Sequence, residues 1–198
     1  MDCIVKQSKD KRIYIPLILT YISTALSFIT LSIAYASPYW LNFSKTGSFL
    51  NIGIWFACVK DYSHPQDPFQ NSLTGCFWLF DRFLFKLKIW HLLNPYLLIG
   101  IQVISSVAFL AQCNVFVLLL INYLRLGKRA LASTLAAVSE VIVTILLIVT
   151  AVLFSVMSKQ GLLPQFEKGK FYWSYYLFVV TILVSLFYNR VSYYHCYL

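Results

Sequence analysis

The chain has 198 residues, 60% of them hydrophobic and only 12% charged, with a mean hydropathy of +0.72. A soluble domain carries about 25% charged residues, so a water-facing surface could not be covered here and lipid is the expected main solvent. The net charge of +9 is gathered in short segments between apolar runs, as basic cytoplasmic flanks are, and this argues against a nucleic-acid partner.

Residues 1–12 carry Lys6, Lys9, Lys11 and Arg12 and read as a cytoplasmic N-terminus. The first apolar run, 13–36, has no charged residue, and about 20 residues suffice to cross the hydrocarbon core as a helix. Pro16 lies in its first turn, where a missing N–H costs little. Ala34-Tyr35-Ala36 resembles a signal-peptide cleavage site, but signal cores run to about 7–15 residues. This longer run is expected to stay as an uncleaved anchor.

Residues 37–94 form a long loop with five basic residues in 58: Lys45, Lys60, Arg82, Lys86 and Lys88. Asn51–Val59 is β-branched and aromatic and predicts a strand. The stretch 61–75 is rich in turn-forming residues and reads as a hairpin tip, and 76–80 as the returning strand. Asn42-Phe43-Ser44 is a glycosylation sequon.

The second run, 95–123, carries the amides Gln102, Gln112, Asn114 and Asn122, which are expected to help pack helices poor in glycine. A basic connector, 124–129, joins it to the third run, 130–157. Glu140 is the only charged residue well inside a run. With no second intramembrane charge to relay to, it reads as bonded to a second-helix amide or placed near the cytoplasmic interface, in preference to a step in an ion pathway. A short loop, 158–171, precedes the fourth run, 172–188, which aromatic residues open and close as interfacial belts do. The tail is 189–198.

Short segments dense in Lys and Arg are retained in the cytoplasm. Both termini and the central connector are therefore expected inside, and the loops 37–94 and 158–171 outside. Of the five cysteines, Cys58 and Cys76 alone share the outer, oxidising side and are expected to form a disulfide. Closing this loop stabilises the fold by about 3 kcal/mol in the chain-entropy description. Cys196, beside the membrane, is a candidate for palmitoylation. No CxxC, HExxH or sensibly spaced Ser/His/Asp set occurs, and the three histidines are dispersed. Catalytic, cofactor and metal sites are not expected.

The expected fold is an all-α membrane protein, a bundle of four transmembrane helices with a small antiparallel sheet from the first loop. Trp40, then Gly53-Ile54-Trp55, then Cys58 and Cys76 resemble the W…GLW…C…C signature of the claudin superfamily, which includes claudins, peripheral-myelin-type proteins and calcium-channel γ subunits. The stretch 166–173 adds an acidic-glycine-aromatic run similar to that leading into a claudin fourth helix. Isoleucine replaces the signature leucine, the cysteines stand further apart than in vertebrate claudins, and the chain ends Cys196-Tyr197-Leu198. These departures are closest to a divergent, invertebrate-type claudin-like protein of septate junctions.

The resemblance implies a structural component of cell–cell junctions that contributes to the paracellular barrier. Its implied partners are further copies in the same membrane, claudin-like proteins on adjacent cells and a cytoplasmic scaffold at the C-terminus. It also implies that loop charges set ion preference: eight basic against four acidic residues outside would disfavour cations. The alternative is an auxiliary subunit acting on a channel or receptor within one membrane.

Overall fold

The computed structural model describes residues 14–43, 49–62, 73–82, 95–124, 129–159 and 169–197. Among these residues lie four long helices: α1 (Tyr14–Ala36), α2 (Tyr96–Tyr123), α3 (Arg129–Lys159) and α4 (Trp173–Tyr197). Five short strands accompany them: β1 (Leu41–Asn42), β2 (Phe49–Ile52), β3 (Phe56–Tyr62), β4 (Leu73–Trp78) and β5 (Lys170–Phe171). Three of the helices contain stretches long and apolar enough to cross a bilayer: Ile18–Ala36, Tyr96–Asn122 and Thr134–Lys159. The chain is a membrane protein by this criterion.

Two compact units make up the chain. One consists of Met1–Ser32, Ser106–Ile148 and Val179–Leu198, the other of Ile33–Ser105 and Val149–Phe178.

The first unit packs segments of all four helices through small polar side chains. Ser27 on α1 meets Ser185 on α4 at 3.0 Å, and the Thr181 hydroxyl donates to that of Thr30 at 2.8 Å. Asn189 on α4 donates to Thr144 on α3 at 2.9 Å. Phe28 stacks on Phe116 and Phe109 of α2, with ring centroids 5.1 and 6.2 Å away. Val115, Leu119, Ala136 and Tyr188 form an apolar cluster beside these bonds. Ile18, Ile22, Leu26 and Ile29 of α1 point outward instead. Apolar residues outside and hydroxyls inside invert the pattern of a soluble bundle. Where lipid surrounds a helix, burying an aliphatic side chain gains little, and small polar residues let helices approach and bond.

α4 continues beyond the fourth apolar run to Tyr197, so it includes most of the segment 189–198. Asn189, at the start of that segment, is the residue bonded to Thr144 on α3.

The second unit gathers the C-terminal ends of α1 and α3, the N-terminal ends of α2 and α4, and all five strands. The sheet is antiparallel, with strand order β4-β3-β2-β1-β5. Strands of two residues persist in β1 and β5 because Leu41 and Asn42 pair on both sides, with Ile52 and Asn51 of β2 and with Phe171 and Lys170 of β5. A segment after α3 thereby closes a sheet begun after α1.

The stretch expected as one strand, Asn51–Val59, is two. β2 ends at Ile52, and the chain turns through Gly53-Ile54-Trp55 into β3. The Gly53 N–H donates to the Phe56 carbonyl at 2.8 Å, closing the turn. A side chain at position 53 would collide with the Ser37 carbonyl oxygen and come within 2.8 Å of Pro38 Cα. Only glycine lets the turn lie against the backbone that follows α1. The returning strand is also longer than expected: β4 starts at Leu73. The hairpin tip at 63–72 lies outside the described residues.

Candidate functional site: the stapled sheet and its anchors

Trp40 is the deepest anchor of the sheet. It is fully buried, and its indole N–H donates to the Ala34 carbonyl near the end of α1 at 2.7 Å. Its ring lies 4.8 Å from Phe154 on α3 and 4.9 Å from Phe178 on α4, with Tyr175 at 6.0 Å. The indole thus has both parts of its character satisfied, the polar edge by a helix-terminal carbonyl and the faces by aromatic rings.

Backbone bonds around Trp40 tie the start of α4 to the same place. Tyr172 N–H donates to the Trp40 carbonyl at 3.0 Å and Ser174 N–H to the Tyr39 carbonyl at 3.2 Å. The Ser174 hydroxyl donates to that of Ser37 at 2.6 Å. The Ser174 contact with Tyr39 occupies a first-turn N–H group of α4 that no intrahelical carbonyl can reach.

The Gly53-Ile54-Trp55 turn is the second anchor. Ile54 is fully buried, and its carbonyl accepts the side-chain amide of Gln102 on α2 at 2.8 Å. The Trp55 carbonyl accepts Leu79 N–H at 2.8 Å, joining the turn to the end of β4. The Trp55 ring meets Tyr35 of α1 edge-on at 5.6 Å and lies 6.0 Å from Phe80.

Cys58 and Cys76 are register partners on β3 and β4 and are joined by a disulfide. Cys58 is buried and Cys76 exposed. Beyond the bridge the hairpin is irregular: the register shifts between Val59 and Tyr62. Asp61 takes a left-handed φ of 49° and Gly75 a φ of 143°, the latter a conformation suited to glycine. Asp61 is held there by Thr74, whose hydroxyl oxygen accepts the Asp61 N–H at 3.0 Å. Asp tolerates this backbone region better than most residues.

The outer row of β4 consists of Thr74, Cys76 and Trp78, all exposed, with Lys60 and Asp61 of β3 also exposed. Trp78 is 49% exposed, a large aromatic surface on an edge strand. At the other edge, Lys170 of β5 is exposed as well.

Asn42, the sequon residue, sits in β1 with its side-chain N–H donating to Asn51 Oδ1 at 2.9 Å. Ser44 of the sequon, the side chain of Cys196, and Lys45, Lys86, Lys88 and Lys168 lie outside the described residues. The structure therefore brings Trp40, Gly53, Ile54, Trp55, Cys58 and Cys76 into one unit. It adds partners that sequence reasoning did not place there: Ser37, Ser174, Tyr35 and Gln102. Gln102 carried a usable signal as a polar residue in an apolar run, but that signal pointed to a neighbouring helix and not to a loop carbonyl.

No family model matches the chain, and no curated protein matches it.

Proposed function

We propose that this protein is a claudin-like component of cell–cell junctions, and that its five-stranded sheet is the part that meets other copies in the paracellular space. One observation carries the reading. The residues that resemble the claudin signature are those that fasten the sheet: Trp40 to α1, α3 and α4, the Gly53-Ile54-Trp55 turn to α1 and α2, and Cys58 to Cys76 across the hairpin. A surface held from four helices loses little further conformational freedom on binding, which favours contact between copies.

In this reading α4 is the fourth membrane crossing. Tyr176, Val180, Leu183, Leu186 and Phe187 point outward while Ser174, Thr181 and Ser185 are buried, the same inverted pattern as α1. Its tyrosines and Arg190 lower its mean hydropathy without disturbing the apolar outer face. Both termini then lie in the cytoplasm and the sheet outside, as the basic segments favour. Exposed Trp78 on the edge strand β4 offers apolar area to a neighbouring sheet. The surplus of basic residues in the outer segments gives the paracellular face a preference against cations.

The test is a mixed culture of cells that express the tagged chain and cells that do not. Accumulation at borders between two expressing cells, and not at borders with a non-expressing cell, is the expected result. Uniform distribution over the surface would contradict the proposal.

A further inference from the structure

Glu140 on α3 is fully buried, and so is Gln112 on α2. All four polar atoms of the pair, Glu140 Oε1 and Oε2 and Gln112 Oε1 and Nε2, lack a hydrogen-bond partner. Ser185 on α4 and Gln112 itself approach the Glu140 carboxyl as uncharged hydrogen-bonding neighbours, short of full hydrogen-bond geometry, and neither brings a counter-charge. Ser185 in turn meets Ser27 on α1. One carboxyl, one amide and two hydroxyls, contributed by four helices, therefore face a common region inside the first unit.

A carboxylate enclosed without an opposite charge costs several kcal/mol in protein interiors, and each unpaired buried polar group adds about 1–3 kcal/mol. The approach of Gln112 and Ser185 offsets part of that cost but leaves the charge without a counter-ion. A cation that neutralises the carboxyl and takes up the remaining oxygen lone pairs would offset the rest. The oxygen-rich, singly acidic set suits a hard ion of charge +1. No group of three His, Cys, Asp or Glu that could hold a multivalent metal occurs among the described residues.

We propose that Glu140 and Gln112, with Ser27 and Ser185, form an intramembrane binding site for a small monovalent cation, either a proton or an alkali ion. Occupancy neutralises the carboxyl and joins the four helix segments, so the bound state is the more stable one. The site is independent of the sheet and of the junction proposal. Among the side chains that the structure describes on the surrounding segments, the other titratable ones are Tyr21 on α1, Cys113 on α2, and Tyr188 and Arg190 on α4.

The full chain in nanodiscs of a neutral phosphatidylcholine gives the test, with thermal unfolding followed by tryptophan fluorescence. Sodium and potassium are titrated against choline at constant ionic strength, and pH is varied separately in choline alone. The isosteric variant E140Q subtracts the contributions of the other titratable groups; should it not fold, E140D and Q112L replace it. A midpoint that rises with sodium or potassium in the wild type, and is flat in E140Q, identifies an alkali ion. A midpoint that rises only on acidification, and again only in the wild type, identifies a proton. No dependence on either cation, or the same dependence in E140Q, overturns the proposal.

Discussion

Gln102 of α2 donates its side-chain amide to the backbone carbonyl of Ile54 at 2.8 Å, tying a membrane-spanning helix to a turn 48 positions earlier in the chain. The carbonyl belongs to a fully buried residue and has no strand partner, since it lies in the turn between β2 and β3. Replacing Gln102 by leucine keeps the volume and leaves the carbonyl unpaired, at a cost of about 1–3 kcal/mol. The expected outcome is a lowered unfolding midpoint and faster amide exchange across 53–56. An unchanged exchange pattern would mean that the turn is set without α2.

Gly53 has the stricter requirement. Even an alanine Cβ meets the Ser37 carbonyl oxygen and the Pro38 backbone, and overpacking of this kind costs about 1–3 kcal/mol or more where the obstacle is backbone. G53A is expected to lower the yield of folded protein more than alanine at Gly100, where a Cβ meets nothing within 4 Å. Size-exclusion profiles of the two variants in one detergent make the comparison.

The Cys58–Cys76 bridge closes an 18-residue separation and is expected to stabilise the sheet by about 3 kcal/mol. Exposed Cys76 makes it open to reductant. Mild reduction should increase amide exchange in β3 and β4 while leaving the Ser27–Ser185 and Asn189–Thr144 contacts of the first unit protected. Uniform loss of protection would show that the sheet and the helix contacts unfold together.

Trp40 has a packing part and a hydrogen-bonding part that separate by substitution. W40F retains an aromatic ring but removes the indole donor from the Ala34 carbonyl, which keeps the Ser37 N–H at 3.3 Å, at about 0.5–1.5 kcal/mol. W40A also empties a site walled by Phe154 and Phe178, at about 3–5 kcal/mol. Unfolding midpoints should therefore fall in the order wild type, W40F, W40A.

Asn42 is expected to remain unglycosylated. Its side-chain nitrogen is engaged by Asn51, and β1 is paired on both sides. N51A frees the amide and is predicted to raise occupancy, read as a mobility shift removed by endoglycosidase. A fully glycosylated wild type would contradict the pairing of β1.

The sequence makes the membrane character plain because lipid imposes one long-range rule, about 20 apolar residues without charge, which residues 13–36 meet in full. The disulfide is legible because topology places only two cysteines in one loop. The split of Asn51–Val59 is only faintly legible: β-branched and aromatic residues flank Gly53 on both sides, and what fixes the break there is the backbone of Ser37 and Pro38 pressing on that glycine. The pairing of Leu41 with Phe171 is equally hidden, since two-residue strands have no periodicity to read. Glu140 stands out in sequence as a lone charge, but its burial on the inner side of α3 beside the uncharged Gln112 and Ser185 depends on other helices.

The most direct measurement of the junction account is paracellular tracer flux across an epithelium depleted of the protein, with transmembrane currents recorded in the same preparation. The account predicts increased flux, unchanged currents, rescue by the wild type and failure of rescue by a C58A/C76A variant that still reaches the surface. Intact flux with altered currents would contradict it and place the protein beside a channel in its own membrane.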